Sequence, residues 1–323
     1  MDITGGRSGC AGRFAPTPSG RMHLGNLLCA LLAWLSARSR GGRFLLRIED
    51  LDPERCPLEY ADLLEDDLQW FGLDWDGGGR AEGCFQSRRT ALYDDAFRRL
   101  REKGLLYPCF CSRGELHAAS APHLSDGSYV YAGTCRGLTL DEVECRAKKR
   151  AALGGVGPAW RLHVPEEIIT LHDENCGEYS ELLSRDCGDF ILRRSDGVYA
   201  YQLAVVVDDG LMGVTEVVRG KDLLSSAPRQ IYLHRLLGFA EPTFAHIPLL
   251  LAPDGSRLSK RDASLDLGCL RRRYSPEELL GLLAYAGGLL EKPLPVTARE
   301  LIPEFCWNKV AKQDVCLPQS LWE

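Results

Sequence analysis

The stretch RFAPTPSGRMHLGN, which runs from Arg13 to Asn26, decides how the rest of the chain is interpreted. It begins as a short extended segment, and Pro16, Pro18 and Gly20 prevent a helix or strand from continuing through it. After Asn26, apolar residues recur at the spacing of three and four that is typical of a helix. They are Leu27, Leu28, Leu31, Trp34 and Leu35. The stretch therefore predicts a strand, a tight turn and a helix.

The turn before this helix is suited to an anion. His23, Gly25 and Asn26 fall where unpaired backbone N–H groups and the positive end of the helix dipole meet. Helix starts of this kind bind phosphate groups. An ordinary strand-to-helix turn, in which His23 only caps the helix, explains these three residues equally well. Other parts of the chain have to distinguish the two interpretations.

The composition is that of a globular protein, with 45% hydrophobic and 26% charged residues among 323. No run of 18 apolar residues occurs, so we expect no membrane partner. Thirteen cysteines and an N-terminus without an apolar signal core are typical of reduced thiols in the cytoplasm, and they make a metal site worth seeking. The net charge of −6 argues against a general nucleic-acid coat but allows local basic patches.

The first third of the chain alternates between strand and helix patterns. The strand 43–48 runs into acidic residues beginning at Glu49, and helical patterns cover 60–71 and 90–106. Acidic groups at the carboxyl end of a strand lie where open α/β sheets bind ligands. This order of elements predicts an α/β fold with a parallel sheet and crossover helices.

A cysteine- and histidine-rich stretch, 107–187, interrupts this rhythm, and we interpret it as an inserted module. Strand patterns resume at 189–193 and 213–220. The segment between them, 199–209, is ambiguous, because its β-branched residues favour a strand while its position between two strands favours a crossover helix.

A short basic loop lies far from the first motif in sequence. It consists of Arg257, Leu258, Ser259, Lys260 and Arg261. Three cations and a hydroxyl beside Gly255 could close on a polyphosphate and neutralise a departing pyrophosphate. Taken alone, such a loop is more often a solvated surface segment. Paired with the helix start at His23, it could flank one nucleotide.

These two motifs resemble those of the class I aminoacyl-tRNA synthetases. HLGN at 23–26 is similar to the HIGH signature, and RLSKR at 257–261 is similar to the KMSKS loop. Further motifs resemble those of glutamyl-tRNA synthetases and their relatives, in the same order and spacing over nearly the whole chain. They are RFAPTPSG at 13–20, RIEDLD at 47–52, YQLAVVVDD at 201–209 and VRG at 218–220. The second histidine of the signature is replaced by Asn26, which can still donate a hydrogen bond.

The resemblance implies a Rossmann-like catalytic domain in two halves, 10–106 and 188–240. It implies a zinc-containing insertion at 107–187, and a KMSKS-like loop with a helical stem-contact region at 241–323. Only about sixty residues follow the basic loop, too few for the usual anticodon-binding region, so we expect that domain to be missing. In this the chain is similar to truncated paralogues of glutamyl-tRNA synthetase.

A site for glutamate needs cations for two carboxylates and an acidic or phenolic group for one ammonium. By resemblance, Arg13 and Arg219 bind the carboxylates, Glu49 binds the ammonium and Tyr201 closes the pocket. The same resemblance adds Phe14, Ala15, Pro16 and Thr17 to the glutamate-binding residues. Structural ion pairs are the alternative for each charged member.

The reaction implied by the resemblance begins with attack of the α-carboxylate of glutamate on the α-phosphorus of ATP, which carries Mg²⁺. Positioning and charge stabilisation suffice for this step. The catalytic residues would be His23, on the phosphates, and Lys260, at the transition state. The full ATP-binding set would be His23, Gly25, Asn26, Arg257, Leu258, Ser259, Lys260 and Arg261.

The truncated paralogues activate glutamate without tRNA and transfer it to the queuosine base in the anticodon of tRNA(Asp). The resemblance thus implies ATP, L-glutamate and this tRNA as partners, and a monomer. Two alternatives stay open: a conventional enzyme that charges a tRNA 3′ end, and a non-catalytic synthetase-like RNA-binding protein. The presence of His23, Glu49, Arg219 and Lys260 argues against the latter.

The insertion also matches a zinc pattern of that family, Cys-x-Cys followed by Tyr-x3-Cys. The implied ligands of one structural zinc ion are Cys109, Cys111, Tyr131 and Cys135. Three thiolates suit zinc well. Tyr131 rests on the resemblance alone, and His117, His123 and Cys145 compete for the fourth position. Buried free thiols are the alternative to a metal site.

Overall fold

A computed structural model describes residues 9–80, 84–112, 114–115, 130–152, 154–256, 258 and 266–319. Within these residues the α-helices are α1 (Leu24–Ser39), α2 (Leu58–Trp70), α3 (Thr90–Glu102), α4 (Leu140–Ala152), α5 (Tyr201–Leu211), α6 (Ala227–Leu237), α7 (Leu267–Leu270) and α8 (Pro276–Ala286). The strands are β1 (Ala11–Phe14), β2 (Arg43–Leu46), β3 (Gly77–Gly78), β4 (Leu106–Cys109), β5 (Ala159–Leu162), β6 (Ile168–Asp173), β7 (Gly177–Leu182), β8 (Phe190–Arg193), β9 (Glu216–Gly220), β10 (Thr243–Ile247), β11 (Leu250–Leu251) and β12 (Val315–Cys316).

The main sheet has the strand order β3-β2-β1-β9-β10-β6-β7. Every neighbouring pair is parallel except β6 and β7. From β1 the chain moves outward to β2 and β3, and it later returns to the other side of β1 with β9 and β10. The predicted α/β fold with a parallel sheet is confirmed, and its topological switch point lies between β1 and β9, where such sheets open a ligand crevice.

Helices cover both faces of this sheet. One apolar cluster packs α1, α2 and α8 against the sheet, and a second packs α3, α5 and α6 on the opposite side. The ambiguous segment 199–209 forms α5, so its crossover interpretation is correct. Residues 203–209 are all buried, which explains why no polar stripe marks this helix in the sequence.

A second, separate sheet is antiparallel and has three strands in the order β4-β5-β8. Strands β6 and β7, which also come from the stretch 107–187, belong instead to the main sheet, where β6 pairs with β10. The sequence-based division at 106/107, 187/188 and 240/241 stays a prediction. Near the C-terminus β12 pairs in parallel with β11, and α8 packs on α1.

Two further features of the structure concern membrane-spanning helices and the state of the cysteines. Among the residues described above, no helix is long and apolar enough to cross a membrane. All thirteen cysteines are free thiols, of which Cys145, Cys176, Cys306 and Cys316 are exposed.

Candidate active site and metal cluster

A cavity of about 660 Å³ opens at the switch point. It lies beyond the carboxyl ends of β1 and β9 and beside the first turn of α1. Its walls are formed by residues 13–17, 19–23, 25–26, 29, 49, 64, 201, 218–220, 222–223, 247–250 and 258. Sheet topology therefore places this cavity where α/β proteins bind their ligands.

The cavity brings the predicted glutamate-binding residues together. Arg13, Phe14, Ala15, Pro16, Thr17, Glu49, Tyr201 and Arg219 all line it. From the predicted ATP-binding set, His23, Gly25, Asn26 and Leu258 line it as well. Arg257, Ser259, Lys260 and Arg261 lie outside the described residues. The assignment of roles to these residues remains a prediction.

His23 caps the N-terminus of α1. Its Nδ1 accepts a hydrogen bond from the backbone N–H of Gly25 at 3.1 Å, and the Asn26 side chain accepts one from the His23 backbone N–H at 3.3 Å. The two interactions form a reciprocal capping box. Because Nδ1 accepts, a neutral His23 carries its proton on Nε2 and is a donor there. His23 therefore does cap α1, and a contact between its imidazole and a phosphate stays a prediction.

Arg13 and Arg47 share one carboxylate behind the cavity. Arg13 Nε and Arg47 Nη1 both donate to Asp209 Oδ1, at 3.3 and 2.7 Å. Arg47 also donates to Glu49 Oε1 at 3.1 Å. All four side chains are at most 8% exposed. Asp209 therefore orients Arg13, and Arg47 orients Glu49, through paired buried charges.

Burial sets the acid–base behaviour of Glu49. Loss of hydration raises its pKa, against the opposing influence of the Arg47 and Arg13 guanidiniums. For Asp209 the balance is reversed, since the attraction of Arg47 and Arg13 outweighs burial and its pKa is lowered. Glu49 is thus the carboxylate of this cluster that protonates more readily.

Arg219 differs from Arg13 in its partners. It is 4% exposed, and its guanidinium donates to His246 Nε2 at 3.0 Å, Gln230 Oε1 at 2.7 Å and the Leu223 carbonyl at 3.2 Å. Burial lowers the pKa of His246, so the imidazole is neutral near pH 7, and these three acceptors are uncharged. Burial also lowers the pKa of Arg219, because the charge is poorly compensated. An anion entering the cavity would supply the missing counter-charge.

Tyr201 begins α5 between these charged groups. Burial raises the pKa of its hydroxyl, which therefore stays protonated at neutral pH. The cavity wall thus offers two buried cations, one buried carboxylate and a neutral phenol. This set can bind a small molecule that carries both anionic and cationic groups.

A separate cluster of thiols occupies the inserted stretch. The Sγ atoms of Cys109, Cys111 and Cys135 lie within 4.8 Å of one another, and Cys111 and Cys135 Sγ are 3.6 Å apart. In a tetrahedral zinc site with Zn–S bonds of about 2.3 Å, sulfur atoms are about 3.8 Å apart. The three thiols fit a metal ion of this kind.

The Tyr131 hydroxyl completes the cluster. It lies 3.5 Å from Cys109 Sγ and 3.6 Å from Cys111 Sγ, and it accepts a hydrogen bond from the Cys135 backbone N–H at 2.8 Å. The Arg161 guanidinium stacks over its ring in a cation–π contact, 3.8 Å from the centroid. Cys145 is exposed and outside the cluster, while His117 and His123 lie outside the described residues.

Several residues of the site were not identified from the sequence as binding residues. Arg47 and Asp209 stood inside quoted motifs, but no pattern linked residues so far apart. His246 is aligned with Arg219 on the neighbouring parallel strand, and Asp173 lies behind it. The sequence offered one signal for this part of the site, namely that His246 lies near the carboxyl end of a strand pattern, where α/β sheets bind ligands.

Fold and cavity together define a Rossmann-like α/β domain with a charged cavity at its switch point. Known proteins agree with this class. The family described as "tRNA synthetases class I (E and Q), catalytic domain" matches residues 10–312. A glutamate tRNA ligase from Elizabethkingia meningosepticum, whose crystal structure is titled as a complex with its amino acid, superposes with a TM-score of 0.80. It is 28% identical, over 98% of this chain and 68% of that one.

Relatives of higher sequence identity indicate a particular family within this class. The chain is 50% identical to the glutamyl-Q tRNA(Asp) synthetase of Symbiobacterium thermophilum over 95% of both chains. It is 47% identical to the protein of the same name from Nocardia farcinica, over 94% of this chain and 92% of the relative. The chain belongs to the glutamyl-Q tRNA(Asp) synthetase family of class I tRNA synthetases.

Proposed function

We propose that this enzyme activates L-glutamate with ATP in the absence of tRNA and transfers it to the queuosine base in the anticodon of tRNA(Asp). The observation that carries the glutamate assignment is the pairing of Arg219 with uncharged acceptors in a cavity that also holds Glu49. The family and the printed names of its members support the tRNA assignment.

Glutamate would bind with its two carboxylates at Arg13 and Arg219 and its ammonium at Glu49. Arg219 gains most from this arrangement, because it is the guanidinium whose partners are uncharged. Tyr201 would close the pocket over the substrate, and Phe14, Ala15, Pro16 and Thr17 would contribute to its lining. A substrate without a second carboxylate would leave a buried cation unpaired, which costs binding free energy.

In the first step, an α-carboxylate oxygen of glutamate attacks the α-phosphorus of ATP. A new O–P bond forms as the bond to the β-phosphate breaks, which gives glutamyl-adenylate and pyrophosphate. ATP enters as its Mg²⁺ complex and lies along the start of α1, where Gly25 and Asn26 contribute to the wall. His23 would donate through Nε2 to a phosphate oxygen. Arg257, Leu258, Ser259, Lys260 and Arg261 would form the rest of the ATP site, with Lys260 stabilising charge in the transition state.

In the second step, a hydroxyl of the queuosine cyclopentenediol ring attacks the activated carboxyl. An ester forms, and AMP leaves. We place contacts with the tRNA stem in residues 241–323. The free thiols support the cytoplasm as the compartment, and the monomeric state rests on the family resemblance.

Zinc is the metal that the thiol cluster suits best, because structural zinc sites are tetrahedral, have four protein ligands and are commonly rich in cysteine thiolates. Cys109, Cys111, Cys135 and Tyr131 would hold it. The 3.5–3.6 Å from Tyr131 Oη to two sulfurs equals the separation of about 3.5 Å expected between ligands with Zn–S and Zn–O bonds of ordinary length. A closed shell of four protein ligands would make the ion structural, with no part in the reaction.

The deciding experiment is glutamate-dependent ATP–pyrophosphate exchange without RNA. Exchange is expected with glutamate, and weaker exchange with glutamine or aspartate. Absence of exchange without RNA would favour a conventional synthetase, and absence of it with RNA as well would favour a non-catalytic RNA-binding protein. Labelled glutamate is then supplied with tRNA from a strain that makes queuosine and from one that does not. Label on the second tRNA would contradict the proposed acceptor.

A further inference from the structure

Arg219 reaches the cavity from a scaffold of three strands. It lies near the end of β9, directly level with His246 on β10, and β10 in turn pairs with β6 at its last residue, Asp173. All three side chains are buried, with exposures of 4, 0 and 0%. Asp173 is level with Phe244, two residues before His246 on β10. Residues two apart on a strand share a face, so the side chains of Arg219, His246 and Asp173 all project from the same face of the sheet and form one row.

The hydrogen bonds along this row have a fixed direction. Arg219 Nε has only a proton to give, so His246 Nε2 must accept it, at 3.0 Å. His246 therefore carries its own proton on Nδ1, which donates to Asp173 Oδ2 at 2.6 Å. Asp173 in turn accepts from the backbone N–H groups of Asn175 and Cys176 at 3.0 and 2.8 Å. A carboxylate held by the tight turn after β6 thus fixes the tautomer of the histidine that holds the arginine.

The same contacts fix the plane of the guanidinium. His246, Gln230 and the Leu223 carbonyl occupy three of its five N–H groups. Gln230 is itself held, since its amide donates to Gln202 Oε1 at 2.8 Å. The remaining N–H groups are left for Tyr201 and for a ligand in the cavity. A rotation of the guanidinium would misdirect both.

We propose that His246 and Asp173 are positioning residues for substrate carboxylate recognition: Asp173 holds His246 in the Nδ1–H tautomer, and His246 holds Arg219 at the angle that binds a carboxylate. The inference rests on the proposed function, in which Arg219 binds glutamate. It also gives the β6–β7 hairpin, which lies within the inserted stretch of the sequence, a direct part in the active site.

The test measures KM for glutamate and for ATP separately, in ATP–pyrophosphate exchange by the full-length enzyme. His246→Ala removes the acceptor, and Asp173→Asn offers His246 an amide donor that shifts its proton to Nε2, facing the Arg219 N–H. Each is expected to raise KM for glutamate about tenfold, the cost of one hydrogen bond to a charged group, and to change KM for ATP less than about twofold. His246→Gln supplies a new amide oxygen for Arg219 and should recover most of the loss.

A matched control separates positioning from general damage. Asp189→Asn alters another buried aspartate, which accepts from Tyr107 and Arg136 away from the cavity. It should keep the wild-type KM for glutamate, with any loss confined to thermal stability. Near-ultraviolet circular dichroism establishes that each variant is folded.

The possible results are distinct. Arg219→Gln serves as the reference for the proposed function and should raise KM for glutamate at least about a hundredfold. An unchanged KM in folded Asp173→Asn and His246→Gln or His246→Ala, beside a raised KM in Arg219→Gln, overturns the positioning role alone. An unchanged KM in Arg219→Gln overturns the proposed use of Arg219 and the inference with it. Equal rises in both KM values would also overturn the inference.

Discussion

Asp67 binds Arg21 through both of its carboxylate oxygens, at 2.7 and 3.3 Å, from a position with no exposed surface. The same carboxylate accepts from Arg271 at 2.9 Å. Arg21 lines the cavity, and Arg271 follows α7, whose first residue donates its backbone N–H to the Met22 carbonyl at 3.1 Å. Asp67 thus ties α2 to two chain segments at the rim of the cavity.

The first prediction concerns this contact. Asp67→Ala is expected to lower the free energy of unfolding by about 3 kcal/mol, because two guanidiniums lose a fully buried partner. Asp66→Ala is the matched control: Asp66 also contacts Arg271, but its side chain is 58% exposed, and the expected loss is below about 1 kcal/mol. Urea unfolding measures both. Equal losses would show that burial at Asp67 adds nothing to the ion pair.

The second prediction concerns selectivity for glutamate. Arg219→Gln should raise KM for glutamate at least about a hundredfold and leave KM for ATP nearly unchanged, because a bidentate charged contact is lost. Arg235→Gln is the control, an arginine whose side chain is 42% exposed and bound to Glu241 away from the cavity. Exchange kinetics with each substrate varied in turn measure the effect. Parallel losses for glutamate and ATP would contradict the assignment.

The third prediction follows from the raised pKa of Glu49. As the pH falls, Glu49 should take up a proton at a higher pH than an ordinary glutamate carboxyl does, and it should then lose its attraction for an ammonium. The carboxyl groups of free glutamate, with pKa values near or below about 4.3, stay ionised at that pH. KM for glutamate should therefore rise toward low pH.

Two variants test this pH dependence. Glu49→Gln should have a high KM for glutamate with a much flatter pH dependence. Asp50→Asn is the neighbouring control, because the buried Asp50 carboxylate accepts from the Ser87 backbone N–H at 2.9 Å and does not line the cavity. It should retain the wild-type profile. A pH-independent KM in the wild-type enzyme would contradict the role of Glu49.

The sequence predicted the sheet and its cavity because both depend on local order. Alternating strand and helix patterns predict a parallel sheet, and residues near the carboxyl ends of its strands, such as Arg13 and Arg219, meet at one edge. The sequence was ambiguous at 199–209, because a helix that is buried on every side has no polar stripe. Its run of valines is also typical of a strand. The sequence also offered capping of α1 by the His23 side chain as one of two interpretations of the turn before this helix.

The row from Arg219 through His246 to Asp173 could not be predicted in the same way. It depends on β6 pairing with β10, two strands that are far apart in sequence, and β6 lies in a stretch whose cysteines and histidines favoured a separate module. Periodicity within one element carries no information about such a pairing. The thiol cluster was predicted on a different basis: the spacing of Cys109 and Cys111 is a weak signal alone, and the family resemblance added Tyr131 and Cys135.

The fourth prediction concerns the metal cluster. Cys135→Ser should remove the zinc that we expect at one ion per chain, and it should lower the melting temperature by about 5 °C or more, because the ion's binding free energy contributes to folding. Cys145→Ser, which changes an exposed thiol outside the cluster, should retain the ion. Elemental analysis of protein purified without chelator measures the content. A folded wild-type protein without metal would contradict the zinc site.

The fifth prediction separates the two halves of the capping box at α1. His23→Ala and Asn26→Ala each remove one capping hydrogen bond, and each should cost about 1 kcal/mol of stability. Of the two residues, Asn26 is assigned to ATP binding alone, whereas His23 is also assigned a catalytic role, as a donor to a phosphate while charge develops. His23→Ala should therefore reduce kcat of exchange about a hundredfold, the usual effect of losing one such donor, while Asn26→Ala changes it less than about threefold. Urea unfolding and exchange kinetics of the two variants provide the comparison. If both variants lose kcat equally, His23 acts by holding the helix start in place, and the phosphate contact must come from the backbone N–H groups of that turn.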